Sequence, residues 1–211
     1  MSAPAICFVG DDALAVRIVS RPARHALAGW LRASGVWLDV VPGKQDVIVQ
    51  FDPLALPPGV ALDQFTRQVH ESPPPEEVAP HETTLHMQVD AASAPDLARI
   101  AAENGLTPKV FLRRITASDL VVDMMGFTAG FAYVAGADPK LVASRLDIPR
   151  QKVPAGSVGF ITGQLGLYAL AGPAGWPIIG RITEPLFDAG AQRPFRLEAG
   201  VSLRLRVGRA S

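Results

Sequence analysis

The sequence predicts an α+β protein in two parts: a small N-terminal sandwich of helices on an antiparallel sheet, followed by a small closed β-structure. Three observations predict it. Strand and helix periodicities are mixed in the first 70 residues, a Pro-rich acidic stretch, SPPPEEVAP, occupies 72–80, and short apolar pieces separated by glycines fill the chain beyond residue 119. Three consecutive prolines beside an acidic pair favour extended polyproline II over a packed element, which sets expected domains at 1–75 and 81–211.

In chain order, ICFVG and ALAVRIV read as two strands around a turn at Asp11 and Asp12. A helix over about 22–33 follows, with Ala26, Leu27, Trp30 and Leu31 at helical spacing. VWLDVV and DVIVQF flank Pro42-Gly43-Lys44-Gln45, a hairpin signal. Leu62, Phe65 and Val69 then line one face of a second helix. Beyond the Pro-rich stretch, TTLHMQV reads as a strand. APDLARIAAENG reads as a helix with Asp96 in its first turn and Gly105 just past its end. Thr107-Pro108 has the chemistry of a helix start, because a threonine side chain can accept from the first free N–H groups and proline's missing N–H costs nothing there. DLVVDMM, the glycine-punctuated pieces and the alternating VSLRLRV complete the closed β-structure.

Bulk properties exclude several functions. With 20 basic and 20 acidic residues and no basic cluster, the chain lacks the footprint of a phosphate-tracking protein, so no nucleic-acid partner is expected. Cys7 is the only cysteine; it cannot form an internal disulfide, reads as a small buried residue, and fits a reducing compartment. The N-terminal residues lack a basic region before Asp11 and Asp12 and do not read as a secretion signal, so a cytoplasmic protein is expected. Residues 153–180 carry no formal charge and exceed a bilayer-spanning length. That run nevertheless holds seven glycines and three prolines, Pro154, Pro173 and Pro177, and it reads as strands and turns rather than a membrane helix.

Local catalytic signatures are absent: no nucleophile elbow, no phosphate-binding loop, no zincin motif and no cysteine pair for zinc. His81 and His86, five residues apart on a strand, point to opposite faces and make a poor metal pair. Asp119 and Asp123 would share a face if their strand is regular, and read as solvated. The glycine-dense stretches say more, because glycine recurs where φ is positive or where another group approaches the backbone closely. These are 126–131, GFTAGF, and 153–181, which carries the pieces VPAGSVG, GQLGLY, GW and GR. Arg150 and Lys152 flank the long uncharged run on one side and Arg181 on the other. They read either as cations at the mouth of an apolar groove or as solvated charges beside the turns of a barrel.

GFTAGFAYVAGADPKL, followed by IPRQKVPAGSVGFITGQLGLYALAGPAGWPIIGRI and then LFD at 186–188, closely resembles the signature region of one family, which unites allophanate hydrolase subunit 1, the B component of bacterial 5-oxoprolinase, and KipI. A weaker likeness extends from Gly10-Asp11-Asp12-Ala13-Leu14 to the last strand. The resemblance implies that the closed β-structure is a cyclophilin-like β-barrel. It also implies a partner, a homologous larger subunit of the type of allophanate hydrolase subunit 2 or the C component of 5-oxoprolinase. In 5-oxoprolinases a third component opens the 5-oxoproline lactam to glutamate at the expense of ATP, which enters at the level of the complex. A KipI-type histidine kinase inhibitor, or a module associated with urea carboxylase and allophanate hydrolase, are the alternatives the resemblance carries. Prolyl isomerase activity does not follow from the barrel, since a fold does not confer a function.

The matched polar positions are Arg150, Ser157, Gln164, Tyr168 and Arg181, which the resemblance implies as substrate-binding residues. A guanidinium fork suits a planar anion at Arg150 or Arg181, and Gln164, with Ser157 nearby, suits a lactam or ureido carbonyl. Six departures stand out. Ala129 and Ala132 replace prolines common in the family, while Ile115 and Leu120 stand where relatives usually carry a histidine and a tyrosine. Leu165 and Ala169 likewise replace a common Thr and Pro. Loss of a histidine removes the side chain most readily used for proton transfer near neutral pH.

Overall fold

The computed structural model describes residues 5–73 and 82–208, and the chain divides into two compact units, 1–79 and 80–211. Apart from Ser72 and Pro73, the expected polyproline II stretch lies outside the described residues, as does His81.

In the first unit, β1 (Ile6–Val9) and β2 (Ala13–Arg17) form the expected hairpin around Asp11 and Asp12. β3 (Asp39–Pro42) and β4 (Asp46–Gln50) form the second, whose pairing runs on to Pro42 opposite Val47. The antiparallel order is β1-β2-β4-β3. α1 (Arg21–Ala33) starts where Ser20 accepts from the Ala23 N–H at 3.5 Å, with Pro22 in its first turn, and α2 (Pro58–Glu71) starts directly on a proline. Both helices lie on one face of the sheet. Leu27, Ala28 and Leu31 of α1 and Ala61 and Phe65 of α2 bury against Leu14, Val16, Val40, Val47 and Val49 of the strands. Trp37 closes this core, edge-on to Phe65 at 5.6 Å, and its indole N–H donates to Gln68 Oε1 at 2.8 Å. Cys7 departs from expectation: β1 is an edge strand, and the thiol is exposed beside half-exposed Phe8 and Val9.

The second unit is a closed barrel in the order β10-β7-β6-β13-β5-β12-β9. Its strands are β5 (Glu82–Gln88), β6 (Leu120–Met125), β7 (Ala132–Ala135), β9 (Ser157–Ile161), β10 (Gln164–Leu167), β12 (Ile178–Ile182) and β13 (Ser202–Gly208). A separate ribbon pairs β8 (Arg150–Val153) with β11 (Gly172–Ala174). Alternate residues of the strands, among them Leu85, Met87, Val122, Val134, Val158, Phe160, Leu165, Leu167 and Leu205, fill the interior. α3 (Leu97–Glu103) and α4 (Pro108–Thr116) add Ile100, Phe111, Leu112 and Ile115 to the same core, with Phe111 edge-on to Phe160 at 5.3 Å. Thr107 caps α4 as its sequence requires, accepting from the Val110 N–H at 3.3 Å.

Two local expectations need correction. Asp96, expected in the first turn of its helix, instead immediately precedes α3, and its carboxylate turns away to other partners without bonding the helix's first N–H groups. The strand carrying Asp119 and Asp123 is not regular: pairing jumps from Val122 opposite Val134 to Met124 opposite Tyr133, so Asp123 is the extra residue of a bulge. Asp123 is buried and Asp119 exposed, so the two do not share a face. Among the described residues no helix is long and apolar enough to cross a membrane.

Candidate functional site: an aromatic shelf on the barrel wall

The outer face of β7, β10 and β9 has unusual chemistry because of what it lacks. Inward positions of β9 and β10 hold Val158, Phe160, Leu165 and Leu167, whereas the outward positions facing one another are Gly159 and Gly166, with Tyr133 next in the row on β7. Absence of side chains at the two glycines lets rings from elsewhere lie directly on the sheet. A Cβ on Gly166 would come within 2.8 Å of Phe131 Cζ and 3.0 Å of the Trp176 ring; one on Gly159 would meet Trp176 Cβ at 2.9 Å and the Tyr168 ring at 3.2 Å.

Phe131 is the hub of the resulting cluster. Its ring centroid lies 4.8 Å from Tyr133, 4.9 Å from Tyr168, 5.3 Å from Phe127 and 6.4 Å from Trp176, all edge-to-face. Phe131, Tyr168 and Trp176 are buried, Tyr133 is half-buried and Phe127 is 61% exposed, so the shelf grades from the sheet outward into solvent. Phe127 also has φ of 68°, a left-handed backbone that a bulky residue adopts only at a cost. Burial pushes the Tyr168 hydroxyl above its ordinary pKa; the hydrogen-bonding Trp176 backbone N–H opposes this, nearby Tyr133 adds to it, and Arg145 opposes it. The hydroxyl is therefore neutral at physiological pH and serves as a donor and acceptor.

Arg145 edges the shelf, its guanidinium carbon 6.0 Å from the Trp176 ring centroid. It also lines an open cleft of about 570 Å³, shared with Asp96, Arg99 and Glu103 of the α3 region and with Ser144 and Asp147.

The five sequence-predicted residues are placed unequally. Tyr168 sits within the shelf, and Gln164 lies two residues from Gly166 on β10, so its Cα falls on the same outer face; its side chain is half-buried. Ser157 is buried and donates its hydroxyl to the Pro154 carbonyl at 2.7 Å, tightening the turn into β9. Arg150 makes a bidentate pair with Asp96, both bonds 2.8 Å. Arg181 is exposed on β12, and its Nε donates to the Ala155 carbonyl at 3.1 Å. Phe131, Tyr133, Trp176 and Arg145 were not singled out by sequence reasoning. Three of them sit in or beside its glycine-dense motifs, so aromatic residues flanking strand glycines were the available signal; Arg145 offered none.

A closed barrel whose outer wall is stripped of two side chains to seat an aromatic cluster, following an α+β unit in the chain, is the class of protein that the fold defines. The chain belongs to the family described as carboxyltransferase domain, subdomain C and D, whose model matches residues 4–197. It is 34% identical over 169 residues to the B component of 5-oxoprolinase from Escherichia coli O157:H7, covering 79% of this chain and 76% of that protein. Among solved structures it matches the protein TTHA0988 at a TM-score of 0.82 and 26% identity, over 98% of this chain and 41% of that one. It shares the fold of Kluyveromyces lactis urea carboxylase, at a TM-score of 0.74 and 15% identity, over 96% of this chain and 21% of that protein. The chain thus spans about two fifths of the first structure and about a fifth of the second.

Proposed function

We propose that the chain is the small subunit of an ATP-dependent 5-oxoprolinase-type amidohydrolase, which opens the lactam of 5-oxoproline to glutamate together with a homologous larger subunit and a third component. The observation that carries this reading is the match to the B component of 5-oxoprolinase over 76% of that protein's length. The shelf supports it in kind. The solvent-facing edge of the cluster, Phe127 and half-buried Tyr133, suits a small ring, and Gln164 on the same outer face offers a donor to an amide carbonyl. Arg181 and Ser157 belong to this proposal as the remaining matched positions, one exposed near the Ala155 carbonyl and one shaping the turn beneath. Arg150 acts on the site through Asp96 rather than by touching a ligand with its occupied fork.

The shelf's own members, four phenyl or phenol rings and an indole, bind and orient but supply no carboxylate or imidazole for proton transfer, so water activation falls to the other components. The adjoining cleft mixes Arg99 and Arg145 with Asp96, Glu103 and Asp147, a balance that does not suit a triphosphate. ATP is accordingly assigned to another part of the complex.

The test is glutamate release from 5-oxoproline and ATP by the reconstituted three-component mixture. Turnover that requires this chain is expected; equal turnover without it refutes the reading. A second reading, a KipI-type regulatory binding protein, is favoured by one observation: Ile115 and Leu120, at positions where relatives usually carry a histidine and a tyrosine, are buried in the barrel core. A stable complex with no turnover is the outcome that selects it.

A further inference from the structure

We propose that the helix-free face of the N-terminal sheet is where two copies of this chain pair, sheet on sheet, about a two-fold axis that runs along the strands between β2 and β4. The inference goes beyond the amidohydrolase reading and does not rest on it.

Both helices of the first unit pack on one face of the sheet, over Leu14, Val16, Val40, Val47 and Val49. The alternate positions turn to the opposite face. There the register places Cys7, Ala15, Ile48 and Val41 in a single row across all four strands. Every member of that row is apolar; Cys7 and Val41 are exposed and Ile48 is half-buried. An antiparallel sheet with one face in water carries polar residues on that face, whereas an apolar row is the pattern of the inner face of a sandwich. Polar side chains bound the row on both sides. Arg17 stands beside Asp46 at one end of the strands, and Gln50 and Asp39 stand beside Ala13 and Val9 at the other. Arg17 donates to Gln45 Oε1 at 2.6 Å, which holds its guanidinium at the rim.

The order of residues along the rows selects a second copy as the occupant. An axis along the strands lays β2 over β4 of the second copy and β1 over its β3, and it keeps each row over itself. Ala15 then faces Ile48 and Cys7 faces Val41, small against large, while Arg17 faces Asp46 at both symmetry-related positions. The other two-fold arrangement has its axis across the strands and lays each strand over its own copy with the rows reversed. That arrangement sets Ile48 on Ile48, Ala15 on Ala15 and Arg17 over Ala13: an overlap, a gap and an unmatched charge. Self-complementarity in size and charge is what a second copy requires of one surface. The face covers about 400 Å² per copy, about half of a standard interface, so the dimer is weak, with a Kd of about 10–100 µM.

The experiment is sedimentation velocity on the full chain across that concentration range. Wild type is expected to shift from monomer to dimer. Arg17→Asp sets two carboxylates against each other at both positions and should weaken the dimer about tenfold or more, and adding Asp46→Arg should restore it. An unchanged Tm in dilute solution shows that these variants are folded. A second measurement is independent of them. Facing sheets stand about 10 Å apart, so Val41→Cys treated with a short bis-maleimide should give a covalent dimer through Cys7 on a denaturing gel. Wild type should not, because its two Cys7 thiols lie three strand spacings apart across the axis. A chain that remains monomeric well above that range, a dimer insensitive to Arg17→Asp, a charge swap that fails to restore association, or cross-linking of wild type through Cys7 overturns the proposal.

Discussion

Replacing Asp96 by alanine tests whether the ribbon is held to the barrel by one buried carboxylate. The side chain of Asp96 is 9% exposed and that of Arg150 is 34% exposed. Asp96 Oδ1 and Oδ2 accept from the two guanidinium nitrogens of Arg150 at 2.8 Å, and Oδ2 also accepts from the Ile178 backbone N–H at 2.7 Å in a buried setting. Three elements far apart in sequence thus meet at this carboxylate: the start of α3, β8 of the ribbon and β12 of the barrel. Removal strands the Ile178 N–H, which costs about 1–3 kcal/mol, and releases a partly solvated charged pair, which adds about 1 kcal/mol. A total of about 3 kcal/mol corresponds to about 10 °C in the Tm of a unit of this size. Arg150→Lys keeps the charge and loses the fork, so it should cost about 1 kcal/mol.

The assay is thermal unfolding by circular dichroism combined with amide exchange at Ile178. Faster exchange at Ile178 should accompany the fall in Tm for Asp96→Ala. If Asp96→Ala melts within about 2 °C of wild type while ligand binding collapses, Asp96 and Arg150 belong to the ligand rather than the fold, and the structural account of Arg150 is wrong.

Two further outcomes follow from the same geometry. Gly166→Ala places a methyl within 2.8 Å of Phe131 and 3.0 Å of Trp176, so it should cost about 1–3 kcal/mol and shift Trp176 emission in a Trp30→Phe, Trp37→Phe background; an unchanged spectrum and Tm would show that the rings do not lie on the strand. Acid titration should show full stability of the barrel unit down to about pH 5 and progressive loss below it. Burial alone would raise Asp96 and Glu184, but the Arg150 fork and Ile178 N–H hold the first below 3.8, and bonds from His86 hold the second below 4.5. The Ser93 N–H, Gln88 and the Ser93 hydroxyl hold Asp90 down to about 2. A carboxylate depressed in the folded state stabilises above its unfolded pKa and loses that contribution as pH falls through the folded one, so loss confined to pH above 5 would contradict these three assignments.

Local chemistry explains what could be read from the sequence. Thr107-Pro108 starts a helix because both residues act within one turn, and the hairpin at 42–45 forms because its turn and flanking alternation are adjacent in the chain. The shelf was half legible: Tyr168 and the glycines around it stood out, whereas the packing of Trp176 and Phe131 on the sheet emerged only when the register put Gly159, Gly166 and Tyr133 in one row. Pairings across long separations left no local trace. The parallel match of β13 to β5, Ser202 opposite Glu82 through Gly208 opposite Gln88, joins opposite ends of the unit, and Asp96 reaches Arg150 across 54 residues. The bulge that buries Asp123 is likewise a property of pairing with β7, invisible in a strand that reads as regular alone.

The shelf and the barrel interior are built from the same two strands, and this divides the consequences of mutation by face. Val158, Phe160, Leu165 and Leu167 point inward and are buried, so truncating any of them opens a cavity and costs stability by an amount set by volume. Gly159 and Gly166 point outward with no side chain to lose, so change there acts by addition and displaces the rings that make the surface. Leu165, where relatives usually carry threonine, falls on the inward set and is fully buried; it therefore alters packing rather than presenting a new group to a ligand. Ile115 obeys the same rule from α4, packed in the core behind the wall. Departures that look on sequence grounds like losses of catalytic chemistry thus fall at positions pointing away from the shelf, while Phe131, Tyr133, Tyr168 and Trp176 still form it.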